Sequence, residues 1–318
     1  QRSETIFSLP RRSPWQRHRD RRPPSSDENP IMSEILLIDG SGFFWRAFHA
    51  VPERRRSDGT PVNAVAGVAS MLLRPIAENS QASHVAVFFD AGRPTFRHAI
   101  YPQYKANRPP PPPDLVRQAP LVRRAAAAYG FPAIEQAGLE ADDLMASYAV
   151  AARAVGLRVT LVSSDKDILQ LVGEGIRVYD QMKRKIIHAA EVREKFGVDP
   201  ERVVDVQALC GDTVDNVPGV PSIGIKTAAK LVETYGDLDA ILEKGPTLPQ
   251  PRLRDALTRH ADQARLSREL VRLKSDAPLP VDLDCLLVEP PDTGRTRAFL
   301  TEMELSPDLA PRPGRMAA

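Results

Sequence analysis

Short apolar runs alternate with amphipathic stretches along the first half of the chain. The runs 35–38, 85–89 and 159–162 are almost wholly apolar, a pattern typical of strands buried on both faces of a parallel sheet. Between them, apolar residues recur at helical spacing, for example over 62–77, and residues 131–135 predict a further, shorter strand. Strands that alternate with helices predict an α/β fold, in which a mainly parallel central sheet is flanked by helices.

Beyond residue 190 the pattern is helical alone. Apolar spacing there predicts helices at 190–196, 201–210, 225–235, 237–243 and 252–274. We therefore divide the chain into an α/β domain over 32–188 and a helical region over 189–318, which ends in a Pro-rich tail. Residues 280–318 give no further structural signal. Residues 1–31 are rich in Arg, Pro and Ser, so we expect a disordered leader and Met32 as the physiological start.

Composition narrows the functional class only in part. The 318 residues are enough for two domains, and 42% hydrophobic and 26% charged residues are ordinary for a globular protein. A net charge of +2 means that any nucleic-acid binding must come from local basic patches. The two cysteines argue against a disulfide framework or a cysteine zinc site and fit a reducing, cytoplasmic location. We expect no membrane span, because no apolar run approaches eighteen residues.

Carboxylates cluster where the predicted strands end. They are Asp39 after the first strand, Asp90 after the second, Asp165 and Asp167 after the third, and Glu140, Asp142 and Asp143 in a loop that leads into a helix. The carboxyl ends of parallel strands meet at one edge of a sheet, where ligands bind in such folds. Converging carboxylates repel one another unless cations lie between them, and oxygen ligands alone favour Mg²⁺ or Mn²⁺. The number of acids indicates two ions, an arrangement that serves phosphodiester cleavage.

A simpler interpretation of these acids is local. Asp165 could cap a helix over 166–172, and Asp39 could stabilise a turn. We favour the shared site, since several segments bring acids to the same edge.

A basic segment with interleaved aromatic residues lies between Asp90 and Glu140. It includes Arg97, Tyr104, Lys105 and Arg108 and is followed by a stiff run of five prolines at 109–113. Such a segment suits a nucleic-acid strand, with cations on phosphates and rings on bases. The alternative is a solvated loop with scattered charges.

A second candidate contact with nucleic acid is the turn that precedes the predicted helix 225–235. Its residues are Gly219, Gly224, Lys226, Thr227 and Lys230. Free peptide N–H groups at a helix start can meet a phosphate, and the lysines and the threonine add to that grip. Asp212 and Asp215 lie just before this turn and could reach back to the other acids. The alternative is an ordinary joint between two helices.

Six motifs together resemble the bacterial 5′-nuclease family, which includes the 5′→3′ exonuclease domain of DNA polymerase I and the flap endonucleases. The motifs run from about Met32 to about residue 275 and are Asp39-Gly-Ser-Gly, Phe88-Phe-Asp-Ala, Tyr101-Pro-Gln-Tyr-Lys-Ala-Asn-Arg, Glu140-Ala-Asp-Asp, Ser164-Asp-Lys-Asp-Ile, and the stretch 211–228. The resemblance implies a nuclease domain over 32–188, with an arch or clamp over 91–125, and a DNA-binding helical region over 189–318. It further implies a two-metal, Mg²⁺-dependent hydrolase of replication and repair, in which Mn²⁺ can substitute, acting on DNA with a 5′ flap, nick or 5′ end.

The same resemblance assigns individual residues. Asp39, Asp90, Glu140 and Asp142 match the acids of one metal; Asp143, Asp165, Asp167 and Asp215 match the neighbourhood of the second, with Asp212 close by. Lys105 matches a catalytic lysine, Arg97 and Arg108 match basic residues of the arch, and Tyr104 matches an aromatic residue that stacks on a base. The turn at 217–227 matches a helix–hairpin–helix-type grip on duplex backbone, which in the family often holds K⁺.

Two other functions stay open on sequence grounds. One is a related metal-dependent ribonuclease, against which the duplex grip argues. The other is a catalytically silent protein that binds DNA structures, against which the complete acid set and Lys105 argue. We expect a monomer in the bacterial cytoplasm, associated with the nucleoid, and either a free-standing nuclease or a fragment of a polymerase.

Overall fold

The central sheet is six-stranded and almost entirely parallel. A computed structural model of the chain describes residues 33–78 and 82–311, so the predictions for the leader, for Met32 and for the end of the tail lie outside the described residues. The strands are β1 (Glu34–Asp39), β2 (Ala82–Phe88), β3 (Ala133–Ile134), β4 (Arg158–Val162), β5 (Ile176–Asp180) and β6 (Lys185–Ile187). Their order is β3-β2-β1-β4-β5-β6, and the pair β5–β6 is antiparallel. The predicted α/β fold with a mainly parallel sheet is confirmed.

Helices cover both faces of this sheet and build the second half of the chain. The helices of the first half are α1 (Gly40–Ala50), α2 (Asn63–Glu78), α3 (Phe96–Ile100), α4 (Pro113–Ala128) and α5 (Ala141–Ala154). Those of the second half are α6 (Ala189–Phe196), α7 (Val203–Cys210), α8 (Ile225–Tyr235), α9 (Leu238–Lys244), α10 (Pro251–Arg259), α11 (Ala261–Val271) and α12 (Thr293–Glu302). None of the helices in the described ranges combines the length and hydropathy needed to cross a bilayer.

The continuous apolar runs exist because both faces of the sheet are covered. Ile35 and Leu37 of β1 point to a core that contains α5 and the helices α6 to α11. Leu36 and Ile38 point to the opposite core, which contains α1, α2, α4 and α12. All four side chains are fully buried. Successive side chains of a strand alternate between faces, so a run apolar at each position is what two covered faces require.

The structure differs from the helix prediction at one internal position. The expected helix 252–274 is two helices, because His260 leaves helical geometry (φ −115°, ψ 23°) and ends α10 just before α11 begins. Neither Gly nor Pro marks the break, so apolar spacing alone did not reveal it. The sequence analysis also missed the strands β5 and β6. The second of these is short and largely exposed, so it leaves little apolar pattern.

The segment after residue 280 was predicted to be without signal, yet it contains α12. This helix packs on the α/β domain: Thr296 Oγ1 donates a hydrogen bond to the carbonyl of Ala128 at 2.9 Å, and Arg124 pairs with Glu302 at 2.7 Å. Phe299 adds to the apolar contact with that side of the sheet. Residues 293–302 therefore pack on the α/β domain, although the sequence grouped them with the helical region.

The chain between α11 and α12 first runs back along α5. Ser147 Oγ donates to the carbonyl of Lys274 at 3.0 Å and accepts from the N–H of Ala277 at 3.1 Å. One position further along, Tyr148 Oη donates to the carbonyl of Val281 at 2.7 Å. We call residues 270–281, which include the last two residues of α11, the strap. The strap joins the helical second half of the chain to α5, and we call the start of α5, residues 140–143, the acidic turn.

Candidate metal and nucleic-acid site

The acids of the first cluster meet because three parallel strands end at the same edge. Asp39 is the last residue of β1, and Asp90 lies just beyond β2, where its Oδ1 accepts a hydrogen bond from the N–H of Ala141 at 2.8 Å. Asp142 stands in the first turn of α5. Burial raises the pKa of Asp142 well above its ordinary value, and the negative charges of the surrounding acids raise it further; these are Asp165, Asp39, Asp90 and Glu140. The carboxylates therefore interact as one group.

Asp39 is held by the turn that opens α1. Its Oδ1 accepts from the N–H of Gly42 at 2.6 Å and its Oδ2 accepts from Ser163 Oγ at 2.9 Å. Burial nevertheless raises the pKa of Asp39 to about 6, helped by the charge of Asp165. We had not assigned a function to Ser163, which holds this carboxylate and also accepts from the N–H of Asp165 at 3.0 Å.

A second acid group lies beside the first. One carboxylate oxygen from each of Asp167, Asp212 and Asp215 falls within 4.8 Å of the other two, in the described part of the chain. Burial, together with the charge of Asp165, raises the pKa of Asp167 to about 7. Asp212 and Asp215, in the loop after α7, thus lie next to Asp167, as the sequence predicted. Asp165 connects the two groups electrostatically.

This donor set fits hard divalent cations. Burial and mutual repulsion raise the pKa values of Asp39, Asp142 and Asp167, and divalent cations relieve such a concentration of carboxylates. The ligands are oxygen atoms alone, which suits Mg²⁺ or Mn²⁺ rather than softer metals.

Lys105 and Arg108 approach the acids from the turn between α3 and α4. Lys105 Nζ donates to Glu140 Oε1 at 2.6 Å and lies 3.5 Å from Asp215 Oδ2, while Arg108 pairs with Asp215. Burial disfavours the charged form of Lys105, but Glu140 and Asp215 outweigh it and raise its pKa. Burial would likewise raise the pKa of Asp215, yet Lys105 and Arg108 lower it. The backbone N–H of Lys105 also donates to the carbonyl of Asp215 at 2.9 Å, which docks this turn on the acidic loop.

Three residues of the predicted site face the interior. Arg97 is 1% exposed and Asp143 is fully buried, and the two form a bidentate ion pair at 2.6 and 2.8 Å. Asp143 therefore does not join the open acid groups, and Arg97 is not a free cation of an arch. Tyr104 is 3% exposed, with its hydroxyl on Glu140 Oε2 at 3.0 Å, so its ring is not presented to a base in this structure. Spacing placed these residues near the site but did not reveal which way they face.

The turn before α8 divides its predicted residues in the same manner. Gly219 is buried at φ +60°, and its backbone packs so closely on Gly211 that a Cβ there would meet the Gly211 nitrogen at 2.4 Å. Its N–H donates to Ser267 Oγ at 2.9 Å and its carbonyl accepts from Gln263 at 2.6 Å. Gly219 therefore shapes the turn and does not offer its N–H to a phosphate. The exposed residues are Gly224, Lys226, Thr227 and Lys230.

A cleft of about 490 Å³ opens beside the first acid group. It lies between α1 and the residues that follow β5, and it is lined by Asp39, Trp45, Arg46, His49, Asp165 and Met182 among others. Trp45 is 51% exposed, which is unusual for so large an apolar side chain. We had not singled it out, although it stands only six residues after Asp39.

Comparison with known proteins decides the family. Residues 34–197 match the 5′-3′ exonuclease N-terminal resolvase-like domain, and residues 198–294 match the 5′-3′ exonuclease C-terminal SAM fold. The chain belongs to the 5′-3′ exonuclease family. The resemblance inferred from the six motifs is confirmed.

Curated relatives of this family member are bacterial DNA polymerases. DNA polymerase I of Rhizobium leguminosarum is 48% identical over 279 residues, which cover 86% of this chain and 28% of the relative. The thermostable DNA polymerase I of Thermus aquaticus is 40% identical over 270 residues, 85% of this chain and 32% of the relative. The chain thus spans about a third or less of the length of these relatives.

Solved structures agree on the fold. A T5 5′-exonuclease structure described with bound divalent zinc ions has a TM-score of 0.64 at 22% identity and covers 85% of this chain and 99% of its own. The catalytic core of Rad2 in complex with a DNA substrate has a TM-score of 0.54 at 16% identity, covering 86% of this chain and 88% of its own. These likenesses in fold extend over both the sheet and the helical region.

Proposed function

We propose that this chain is a structure-specific 5′→3′ exonuclease and flap endonuclease, which hydrolyses phosphodiester bonds of DNA with a 5′ flap, nick or 5′ end and acts in replication and repair. The observation that supports this most strongly is the meeting of two carboxylate groups with Lys105 and Arg108 at one edge of the sheet. Family membership and the DNA complexes among the structural neighbours support the substrate class. A monomer in the bacterial cytoplasm, close to chromosomal DNA, is part of the same proposal.

The acids would hold two hard cations, Mg²⁺ with Mn²⁺ as a substitute. Asp39, Asp90 and Asp142, with Glu140 at their margin, form one donor group; Asp167, Asp212 and Asp215 form the other. Asp165, which the resemblance assigned to the second cation, interacts with acids of both groups. Such cations supply positive charge to both the attacking and the leaving oxygen of a phosphodiester. Asp143 takes no part in this set, contrary to the residue-by-residue carry-over, because its oxygen atoms are occupied by other partners.

Lys105 is the side chain best placed to act on the scissile phosphate. Its ammonium group rests on Glu140 and Asp215, at the junction of the two acid groups. With divalent cations on those carboxylates, Lys105 and Arg108 would be free to donate to a phosphate and would balance the charge that develops in the transition state. Both side chains therefore serve first to offset the acids and then to bind substrate.

The exposed start of α8 would grip duplex backbone away from the cut. Gly224 precedes the helix, and Lys226, Thr227 and Lys230 are exposed on its first turns. Contacts of this kind position DNA without reading its sequence. K⁺ at the carbonyls of this turn stays a prediction from the resemblance.

Cleavage of a 5′-labelled flap duplex in Mg²⁺ tests the proposal, with EDTA and a matched single strand as controls. We expect cation-dependent cutting near the flap junction, and loss of cutting in Asp90→Ala while the circular dichroism spectrum is unchanged. Tight binding without cutting would replace the nuclease by a DNA-structure binder. Preferential cutting of an RNA strand of the same sequence would favour the ribonuclease.

A further inference from the structure

A buried ion pair links three parts of the chain that are far apart in sequence. Arg97 comes from α3, Asp143 from the first turn of α5, and the strap lies at residues 270–281. Arg97 Nη1 and Nη2 each donate to one oxygen of Asp143, at 2.6 and 2.8 Å. A charged pair with no solvent access is costly to bury and persists only where its geometry is good and its other hydrogen bonds are made.

The hydrogen-bonding capacity of Arg97 is fully used. A guanidinium has five N–H donors. Two go to Asp143; of the other three, Nε donates to the carbonyl of Leu270 at 2.8 Å, Nη2 to that of Arg272 at 3.2 Å, and Nη1 to Glu140 Oε2 at 3.3 Å. No donor is left for a phosphate, so Arg97 connects the strap to the acidic turn.

Asp143 is equally saturated. Besides the two bonds from Arg97, its Oδ1 accepts from the N–H of Lys274 at 2.9 Å and its Oδ2 accepts from the N–H of Glu140 at 3.1 Å. Four bonds fill the usual acceptor positions of a carboxylate, so no lone pair remains for a cation. Through this side chain the strap is joined to the backbone of Glu140.

We infer that Arg97 and Asp143 are positioning residues, which fix the backbone and carboxylate of Glu140 against the strap and thereby set the cation affinity of the acid groups. The inference rests on the proposed function, since it assigns to this pair a role toward the cations of that site. Groups that orient ligand side chains typically change metal affinity by about tenfold to a hundredfold when altered. The pair acts through Glu140, without contact with a cation or with DNA.

The test measures Mn²⁺ binding in the absence of DNA, from the electron paramagnetic resonance signal of free Mn²⁺. The single variants are Arg97→Lys, which keeps the charge but loses the bidentate guanidinium, and Asp143→Asn. The double variant combines Arg97→Met with Asp143→Asn and buries no charge. Tyr148→Phe is the matched control, because it removes the two hydrogen bonds between α5 and Val281 of the strap, five positions beyond Asp143, without touching Glu140. Thermal unfolding of each variant is recorded in parallel.

We expect the Mn²⁺ dissociation constant to rise by about tenfold to a hundredfold in Arg97→Lys and in Asp143→Asn. In the double variant the dissociation constant should rise by about as much as in a single variant, and not by the product of the two effects, because both residues belong to one bridge. Tyr148→Phe should lower the melting temperature yet keep the affinity within about twofold. Flap cleavage by the variants should recover at saturating cation, since the chemistry itself is intact.

Unchanged Mn²⁺ affinity in the folded double variant would overturn the inference. Weakened binding in Asp143→Asn with wild-type binding in Arg97→Lys would overturn it too, and would make Asp143 a direct ligand. A wild-type chain that binds Mn²⁺ but cuts no DNA would instead refute the proposed function, while the affinity measurements would still decide the bridge.

Discussion

Two arginine–carboxylate pairs, Arg97 with Asp143 and Arg108 with Asp215, differ in their access to solvent. We call them the first and the second set of charges. Arg97 and Asp143 are 1% and 0% exposed in their side chains, and each finds all its partners within the protein. Arg108 is 43% exposed and pairs with Asp215, which is 12% exposed at the rim of the acid groups. The first set is closed to ligands and the second is open. Two arginines eleven residues apart, Arg97 and Arg108, therefore differ in role: the first serves structure, and the second lies at the proposed site of chemistry.

The largest expected effect comes from breaking the closed pair. Asp143→Ala should lower the free energy of unfolding by about 3–5 kcal/mol, because it leaves Arg97 buried without its partner. Asp167→Ala removes an acid from the open group, where burial and the charge of Asp165 already disfavour its ionised form. We expect that variant to stay within about 1 kcal/mol of wild type.

Urea unfolding in EDTA at pH 8 measures both variants. Equal destabilisation by the two substitutions would erase the distinction between a closed and an open set of charges. A stable Asp143→Ala protein would show that the buried pair contributes no net stability.

Lys105, which pairs with Glu140 and Asp215 beside Arg108, should affect turnover more than folding. In the proposed function Lys105 donates to the phosphate on which charge develops, and the loss of one such donor, as in Lys105→Ala, typically lowers kcat by about 10²–10³-fold. Single-turnover cleavage of a flap duplex measures the chemical step, and a binding titration in Ca²⁺ measures DNA affinity. A loss confined to affinity would make Lys105 a phosphate anchor only.

A somewhat smaller effect should follow pH in the metal-free protein. The pKa of Asp39 is about 6 in the folded chain against an ordinary value of 3.8. Between these values the unfolded chain releases a proton that the folded chain keeps, so the free energy of unfolding falls as the pH rises from about 4 to about 6. For Asp39 alone the fall is on the order of 3 kcal/mol.

Urea unfolding in EDTA at pH 4.5 and pH 7 measures this decrease, and Asp39→Asn is its control. The variant should show a smaller decrease, and Mg²⁺ should restore stability to the wild type at pH 7 by binding the ionised acids. The same decrease in both proteins would mean that Asp39 is not a source of this pH dependence.

The sequence predicted the parallel sheet and the convergence of acids well, for a simple reason. Apolar runs are the direct consequence of two covered faces, and residues that follow parallel strands must share an edge. It therefore found Asp39 and Asp90 without any knowledge of side-chain direction. It predicted α8 over the same residues that the structure gives, 225–235, because periodicity and a preceding glycine coincide there.

The orientation of individual charges was not predictable in this way. Arg97 and Lys105 both belong to the basic segment, and only long-range partners separate them: the carbonyls of Leu270 and Arg272 bind one, and Asp215 attracts the other. The same holds for Gly219, whose N–H is taken by Ser267 from α11. Contacts between residues more than forty positions apart decide burial, and a local pattern has no access to them.

Counting bound Mn²⁺ ions tests the central claim, that the open acids form a two-cation site and the closed pair does not belong to it. Equilibrium titration of the wild-type chain should give two ions per chain, Asp167→Asn should give one, and Asp143→Asn should still give two at higher concentrations of Mn²⁺. Loss of an ion in Asp143→Asn, or retention of both in Asp167→Asn, would contradict the assignment of these carboxylates.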